Sequence, residues 1–277
     1  MSISIYSQAY ERHGHGPALL FSHGGGMWHG CWGPILQEIA AACDCYTWDL
    51  PGHGASGPAD SRPVRIEDYV ASIEMVRERY RLQRRPIVHV IWSMSGLFYG
   101  AALMQEHLRA RLLQQQAGLV LVGTSLNFGA EVFAPTHPRI AMLQHLFADQ
   151  SEKQALACRE ATRILTRQPL IDEEFQDFFM HLAHMLMRRQ ITPALIPAAS
   201  IAPEVFLQQH PTTVIHGAYD QQVPLQIARA QAERLGNELI LFEHSAHMPF
   251  REEATHFKTA LLAFVQKIEQ ETERVSA

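Results

Sequence analysis

The chain has 277 residues, of which 47% are hydrophobic and 18% charged, long enough for one large domain with an insertion or for two small domains, with apolar material for a sizeable core. Its formal net charge of -5 excludes a general nucleic-acid binder, since contact with phosphate calls for a basic surface. The first residues, MSISIYSQAYERHGHG, lack the basic and apolar regions of a secretory leader, and no apolar run approaches the roughly 18 residues of a membrane span. The expectation is a cytoplasmic protein.

Residues 2 to 7, SISIYS, alternate as an edge strand does, and PALLFS from Pro17 to Ser22 reads as a buried strand. A loop, HGGGMWHGCW, follows. Its three consecutive glycines, Gly24 to Gly26, suit a place where backbone approaches something closely. After the helix-like GPILQEIAAAC come the strand CYTWD and the turn-rich DLPGHGASG, Asp49 to Gly57. Ile66, Tyr69, Val70, Ile73 and Val76 form one face of an amphipathic helix.

The stretch PIVHVIWSMSGLFY, Pro86 to Tyr99, drives an apolar strand into a serine and then into a helix-compatible segment. A sharp strand-to-helix turn lifts a serine hydroxyl clear of the sheet edge and sets helix N–H groups beneath it. Ser93 is the candidate nucleophile, and Ser95 is the competing register. Small residues are wanted two places either side of the nucleophile; Ser95 satisfies this, whereas Ile91 departs from it and predicts strain in the turn. Serines that only cap the helix are the non-functional alternative.

AGLVLVG, Ala117 to Gly123, is a further buried strand. From about Ala130 to Gln209 the pattern turns helical, with apolar faces such as Met142, Leu143, Leu146 and Phe147, then Phe175, Phe178, Phe179, Leu182, Met185 and Leu186. Strand and helix alternation resumes with TTVIHG, a helix over 222–235, ELILFE, and a last helix carrying Phe257, Leu261, Phe264, Val265 and Ile268. Such alternation predicts an α/β fold with a mostly parallel central sheet and helices on both faces. The core would comprise 1–129 and 210–277, with an inserted helical cap at 130–209. Cys31, Cys43, Cys45 and Cys158 are too few and too irregular for a disulfide framework or paired zinc motif and predict free thiols. Neither His13 with His15 nor His244 with His247 has a third ligand, so no metal and no cofactor is expected.

Ester hydrolysis at neutral pH requires a nucleophile, a base, an acid that orients the base, and donors for the oxyanion. HGAYDQQVP, His216 to Pro224, places Asp220 in the loop after a strand, and SAHMPF, Ser245 to Phe250, offers His247 after the last one. His244 is the rival base.

HGGG at 23–26, DLPGHGASG, WSMSG at 92–96, GAYDQQVP and the His247 loop, in this order, make the chain resemble the α/β-hydrolase family over nearly its whole length. The resemblance implies the α/β-hydrolase fold and a triad of Ser93, Asp220 and His247. It also implies oxyanion donation by the backbone N–H groups of Gly25 and Met94, and a structural role for Asp49 in its turn.

Within the family, the elbow and the histidine loop are similar to those of the pimeloyl-acyl-carrier-protein methyl ester esterases of biotin synthesis, and WHGCW is similar to plant methyl esterases and hydroxynitrile lyases. The first likeness implies an acyl methyl ester, linked to acyl carrier protein, as substrate. Arg159, Arg163 and Arg167 recur every four residues, so a continuous helix would carry them along one face as a docking stripe for that acidic carrier, with Arg139, Arg188 and Arg189 elsewhere in the cap. An ordinary solvated face with local partners such as Glu160 is the competing reading. A C–C bond hydrolase or lyase with the same triad, and a non-catalytic receptor of the same fold, are the other functional alternatives.

Overall fold

A computed structural model describes residues 3–11, 15–57, 63–127, 145–146, 151–187 and 202–276. Among the described residues seven strands form one sheet: β1 Ser7–Tyr10, β2 Ala18–Ser22, β3 Cys45–Trp48, β4 Ile87–Trp92, β5 Gln116–Val122, β6 Thr212–Gly217 and β7 Leu239–Phe242. Their spatial order is β1-β3-β2-β4-β5-β6-β7. Only the edge pairing of β1 with β3 is antiparallel; every other neighbouring pair is parallel. The α/β fold with a mostly parallel central sheet that the alternation predicts is therefore present.

Because side chains alternate across a strand, consecutive residues of β4 feed two separate cores. Ile87 and Ile91 join Leu20, Leu119 and Leu121 on one face, while Val88, Val90 and Trp92 join Phe21, Val120 and Val122 on the other. The first face is covered by α2 Ile66–Arg79, α3 Met94–Leu103 and α4 Glu106–Leu112, the second by α1 Ile35–Ile39 and the long C-terminal helix Ala254–Ser276. Helix α2 buries Tyr69, Val70, Ile73 and Val76, each worth roughly 1.5–3 kcal/mol of transfer from water. Its charges run with the helix dipole, Glu67 and Asp68 in the first turn and Arg77 and Arg79 in the last.

The first strand differs from its expected span. It covers Ser7–Tyr10 instead of residues 2 to 7. The preceding residues pair with the turn-rich loop: Ser4 bridges Gly57, Tyr6 N donates to Ser56 Oγ at 2.9 Å, and Asp49 N donates to Tyr6 O at 3.0 Å. A loop that supplies its own donors and acceptors has taken the place of a sheet neighbour.

Between β5 and β6 the described residues include helices α5 Ser151–Arg163 and α6 Asp172–Met187, helical residues 145–146, a short 3-10 turn Pro203–Leu207, and no strand. Their apolar faces do not form a core of their own: Ala157, Cys158, Ala161, Leu182, Met185 and Leu186 merge with the first core, and Leu165 and Phe178 with the second. Met142, Leu143, Phe147, the three cations Arg139, Arg188 and Arg189, His13, and the boundary at 129 lie outside the described residues. Among the described residues no helix is long and apolar enough to cross a membrane.

Candidate active site

Strand β4 is buried along its whole length and hydrogen-bonded on both sides, to β2 and β5. The chain leaves it at Ser93 and enters α3 at the very next residue. That turn needs φ 57° and ψ -125° at Ser93, a sparsely populated conformation costing of order 1–3 kcal/mol for a residue with a side chain. The surroundings hold it there: Ser93 N donates to Val122 O at 3.1 Å, and the Thr124 hydroxyl donates to Ser93 O.

Ile91 does not crowd this turn, because its side chain points into the first core with Phe98 and Leu121. Close approach is gained further along, at Gly96, where a Cβ would lie 2.1 Å from Thr124 Oγ1 and 3.0 Å from Ser125 O.

His247, in the loop after β7, brings Nε2 to 2.8 Å from Ser93 Oγ, and its Nδ1 lies 2.8 Å from Asp220 Oδ2. An ionised carboxylate only accepts, so Nδ1 carries the proton and Nε2 presents its lone pair to the serine. Asp220 follows β6, and its other oxygen, Oδ1, accepts from Gln222 N at 2.6 Å and Val223 N at 2.9 Å. Burial pushes the Asp220 carboxyl upward, but the charge and hydrogen bond of His247, with His216 and the Val223 N–H, outweigh it and hold the group below the ordinary carboxylate range.

The rival residues fall elsewhere. Ser95 is buried, and its Oγ donates to His23 O at 2.5 Å. His244 is exposed, with its backbone N–H on Glu253 Oε2 at 3.0 Å.

The glycine loop after β2 packs against the elbow. A Cβ on Gly24 would sit 2.9 Å from Ser93 Cβ, and one on Gly25 would sit 2.8 Å from Met94 Sδ, so Gly25 and Met94 are neighbours beside the serine. Met94 opens α3, where N–H groups have no partner within the helix. His23 pins the loop from within: Leu50 N donates to its Nε2 at 3.0 Å, and its Nδ1 meets Gly24 O at 2.7 Å. Both bonds require a neutral ring protonated at Nδ1, and burial pushes the His23 pKa down to about 4. Asp49 lies in its turn as a structural acceptor, taking His29 N at 2.6 Å, His29 Nδ1 at 2.9 Å and Ala55 N at 2.8 Å.

Several further residues of the candidate site carry no local sequence signal. His216, fully buried in β6, meets Val223 O through Nε2 at 2.9 Å, with that nitrogen 3.7 Å from Asp220 Oδ2. Trp92 Nε1 donates to His247 O at 2.9 Å. Trp28 stacks on His181 of α6 with ring centres 4.1 Å apart, and Phe178 meets it edge-on at 5.1 Å.

The arginine row is corrected by the structure. Helix α5 ends at Arg163, so Arg159 and Arg163 lie a turn apart on it, while Arg167 sits in the turns beyond. Arg163 is 3.7 Å from Glu160, Arg159 lies over the Phe179 ring at 5.6 Å, and Arg167 lies over Tyr219 at 4.2 Å. Thr162 Oγ1 bonds back to Cys158 O near the end of the helix, and Leu165 turns inward to the core. A continuous three-arginine face does not exist. The four cysteines are free thiols, and among the described residues no group of three or more His, Cys, Asp or Glu could hold a metal ion.

The family model described as the alpha/beta hydrolase family matches residues 19–257. A pimeloyl-[acyl-carrier protein] methyl ester esterase of Chromobacterium violaceum is 27% identical over 258 residues, covering 91% of this chain and 95% of that protein. One from Xylella fastidiosa is 25% identical over 264 residues, covering 91% and 96%. Among solved structures, an esterase from Rhodococcus sp. superposes with a TM-score of 0.78 at 22% identity, over 96% of each chain. With its sheet order and a family match spanning β2 to the start of the last helix, the chain belongs to the alpha/beta hydrolase family.

Proposed function

We propose that the protein is a cofactor-free serine carboxylic ester hydrolase. The observation that carries this reading is the unbroken relay from Ser93 Oγ through His247 to Asp220, two contacts of 2.8 Å each. It lies where the strands of a parallel sheet end, the usual ligand position in such folds. Ser93 Oγ attacks the acyl carbonyl carbon while His247 Nε2 takes its proton. The carbonyl oxygen becomes an oxyanion facing the N–H groups of Gly25 and Met94. On collapse the alcohol leaves with the proton from His247, giving an acyl-serine. Water then loses a proton to His247 and attacks the acyl carbon; on collapse Ser93 Oγ leaves with the proton returned from His247, and the carboxylic acid is released. Asp220 stays ionised throughout, orienting the imidazole.

The finer reading is a methyl ester esterase acting on a pimeloyl chain carried by acyl carrier protein, in biotin synthesis and in the cytoplasm. The relatives of that name, matching nine-tenths of the chain, support it. In this reading residues 130–209 act as a cap over the acyl chain, with Phe178 and Leu182 among its buried apolar side chains. The exposed Arg163 and neighbouring Arg159 offer the acidic carrier a positive approach, with Arg167 at its margin.

Labelling with a fluorophosphonate, followed by mass mapping, tests the class: the modified residue is expected to be Ser93, and Ser93→Ala should abolish both labelling and hydrolysis of a p-nitrophenyl ester. An unlabelled protein would point to a receptor of the same fold. Labelling with turnover only of a C–C ring-fission substrate would point to a C–C hydrolase.

A further inference from the structure

Resting on the hydrolase reading, we infer that Glu252 is a positioning residue for the catalytic base, clamping the His247 loop to residues 165–168, the strap that follows helix α5. The two oxygens of this one carboxylate face opposite ways. Oε2 accepts from Ala246 N at 2.7 Å, the amide immediately before His247, and Oε1 accepts from Arg167 N at 2.6 Å. The strap returns the contact directly, since His247 N donates to Leu165 O at 3.0 Å. The base therefore has three backbone anchors: its own N–H on the strap, its C=O on Trp92 Nε1, and the preceding N–H on Glu252.

The acid loop is tied to the same strap and to the helix α5 that precedes it. Gln222 Nε2 donates to Ala161 O at 3.0 Å, and the Arg167 guanidinium lies 4.2 Å over the ring of Tyr219, the neighbour of Asp220. Glu253 secures the far end of the histidine loop, accepting from His244 N and Ser245 Oγ. Glu252 is half-buried, and its bond to Ala246 N, beside His247, is partly shielded from water and stronger than a surface one, while its bond to Arg167 N lies at the surface. Burial raises its pKa, while the N–H groups of Ala246, Arg167 and Gln168 favour the ionised form.

The physical consequence is that the imidazole's place depends on the strap as well as on Asp220. An imidazole reaches Ser93 Oγ by one 2.8 Å contact, and a misplacement of about 1 Å costs of order 10²-fold in rate. Glu252 therefore acts on kcat through His247 and touches no substrate.

The test uses the full chain with Glu252→Ala and Glu252→Gln, p-nitrophenyl acetate as substrate, and a fluorophosphonate as titrant of Ser93. Expected for the alanine variant are a fall in kcat of about 10- to 100-fold, KM within about twofold, and a slower labelling rate per labelled site. Glutamine keeps one acceptor oxygen and should lose less. Full stoichiometry of slow labelling separates this effect from partial unfolding, which lowers the number of sites and leaves the rate at each intact. Hydrogen exchange should quicken in peptides covering 165–168 and 244–248 and stay unchanged in helix α2. Wild-type kcat and labelling rate in the alanine variant would overturn the inference. If the wild-type chain neither labels nor hydrolyses esters, the hydrolase reading has failed instead; unchanged exchange at the two peptides would then overturn the clamp as well.

Discussion

His247 Nε2 stands 2.8 Å from Ser93 Oγ although 154 positions separate the two residues in the chain. The contact depends on β4 and β7 ending at the same edge of the sheet, and on Asp220 holding the ring from behind. On the scale of other triads, Ser93→Ala should lower kcat by about 10⁴- to 10⁶-fold and Asp220→Asn by about 10⁴-fold. Ser95→Ala takes the hydroxyl donor from the buried His23 O, at a cost of about 1–3 kcal/mol of stability, and should leave the label on residue 93. A label found on Ser95 would defeat this assignment.

The glycine loop offers a graded test. At Gly24 an added methyl group meets Ser93 Cβ at 2.9 Å and Trp92 Cε3 at 3.1 Å, both held by packing. At Gly25 it meets Sδ and Cε of Met94, at 2.8 and 2.9 Å, the far end of a flexible side chain. Gly24→Ala should therefore cost about 10²- to 10³-fold in kcat, the scale of a lost oxyanion donor, and Gly25→Ala clearly less. Steady-state kinetics on one small ester compares the two, and the reverse order would refute the argument.

Acid stability should depend on Asp220. Its carboxyl titrates lower in the folded protein than the value of about 3.9 expected unfolded. The unfolded chain thus takes up the proton first as pH falls. The stabilisation is complete above that unfolded value and is lost as pH drops through the folded one. Urea denaturation at neutral pH and near pH 3 should show Asp220→Asn least disadvantaged in acid. A constant gap between wild type and variant would contradict the sign.

Carrier docking is testable by charge reversal. Arg159→Glu with Arg163→Glu should raise KM for a carrier-linked methyl ester and leave turnover of a small free ester unchanged. The effect should shrink as salt is added, because it arises from long-range attraction between an acidic partner and exposed cations. Equal changes on both substrates would leave these arginines as ordinary surface, in keeping with the Arg163–Glu160 pair.

By itself the sequence determined the alternation of strands and helices, the position of Ser93 between β4 and α3, and the loops that bear Asp220 and His247. Each of these is written locally, as an apolar run ended by turn residues. Only the tertiary structure decided the rest, because the causes lie far apart in the chain. Ile91 reads locally as a fault in the elbow, but strand alternation sends it into the core and Gly96 supplies the close approach. The arginine period reads as one face, yet α5 stops at Arg163 where Leu165 turns inward beneath His247. The edge strand is displaced to Ser7–Tyr10 because the Asp49 loop satisfies the residues before it. Glu252 reads as one more acid in a charged run, and its role follows from two amides, Ala246 and Arg167, that meet at its carboxylate only once the chain has folded.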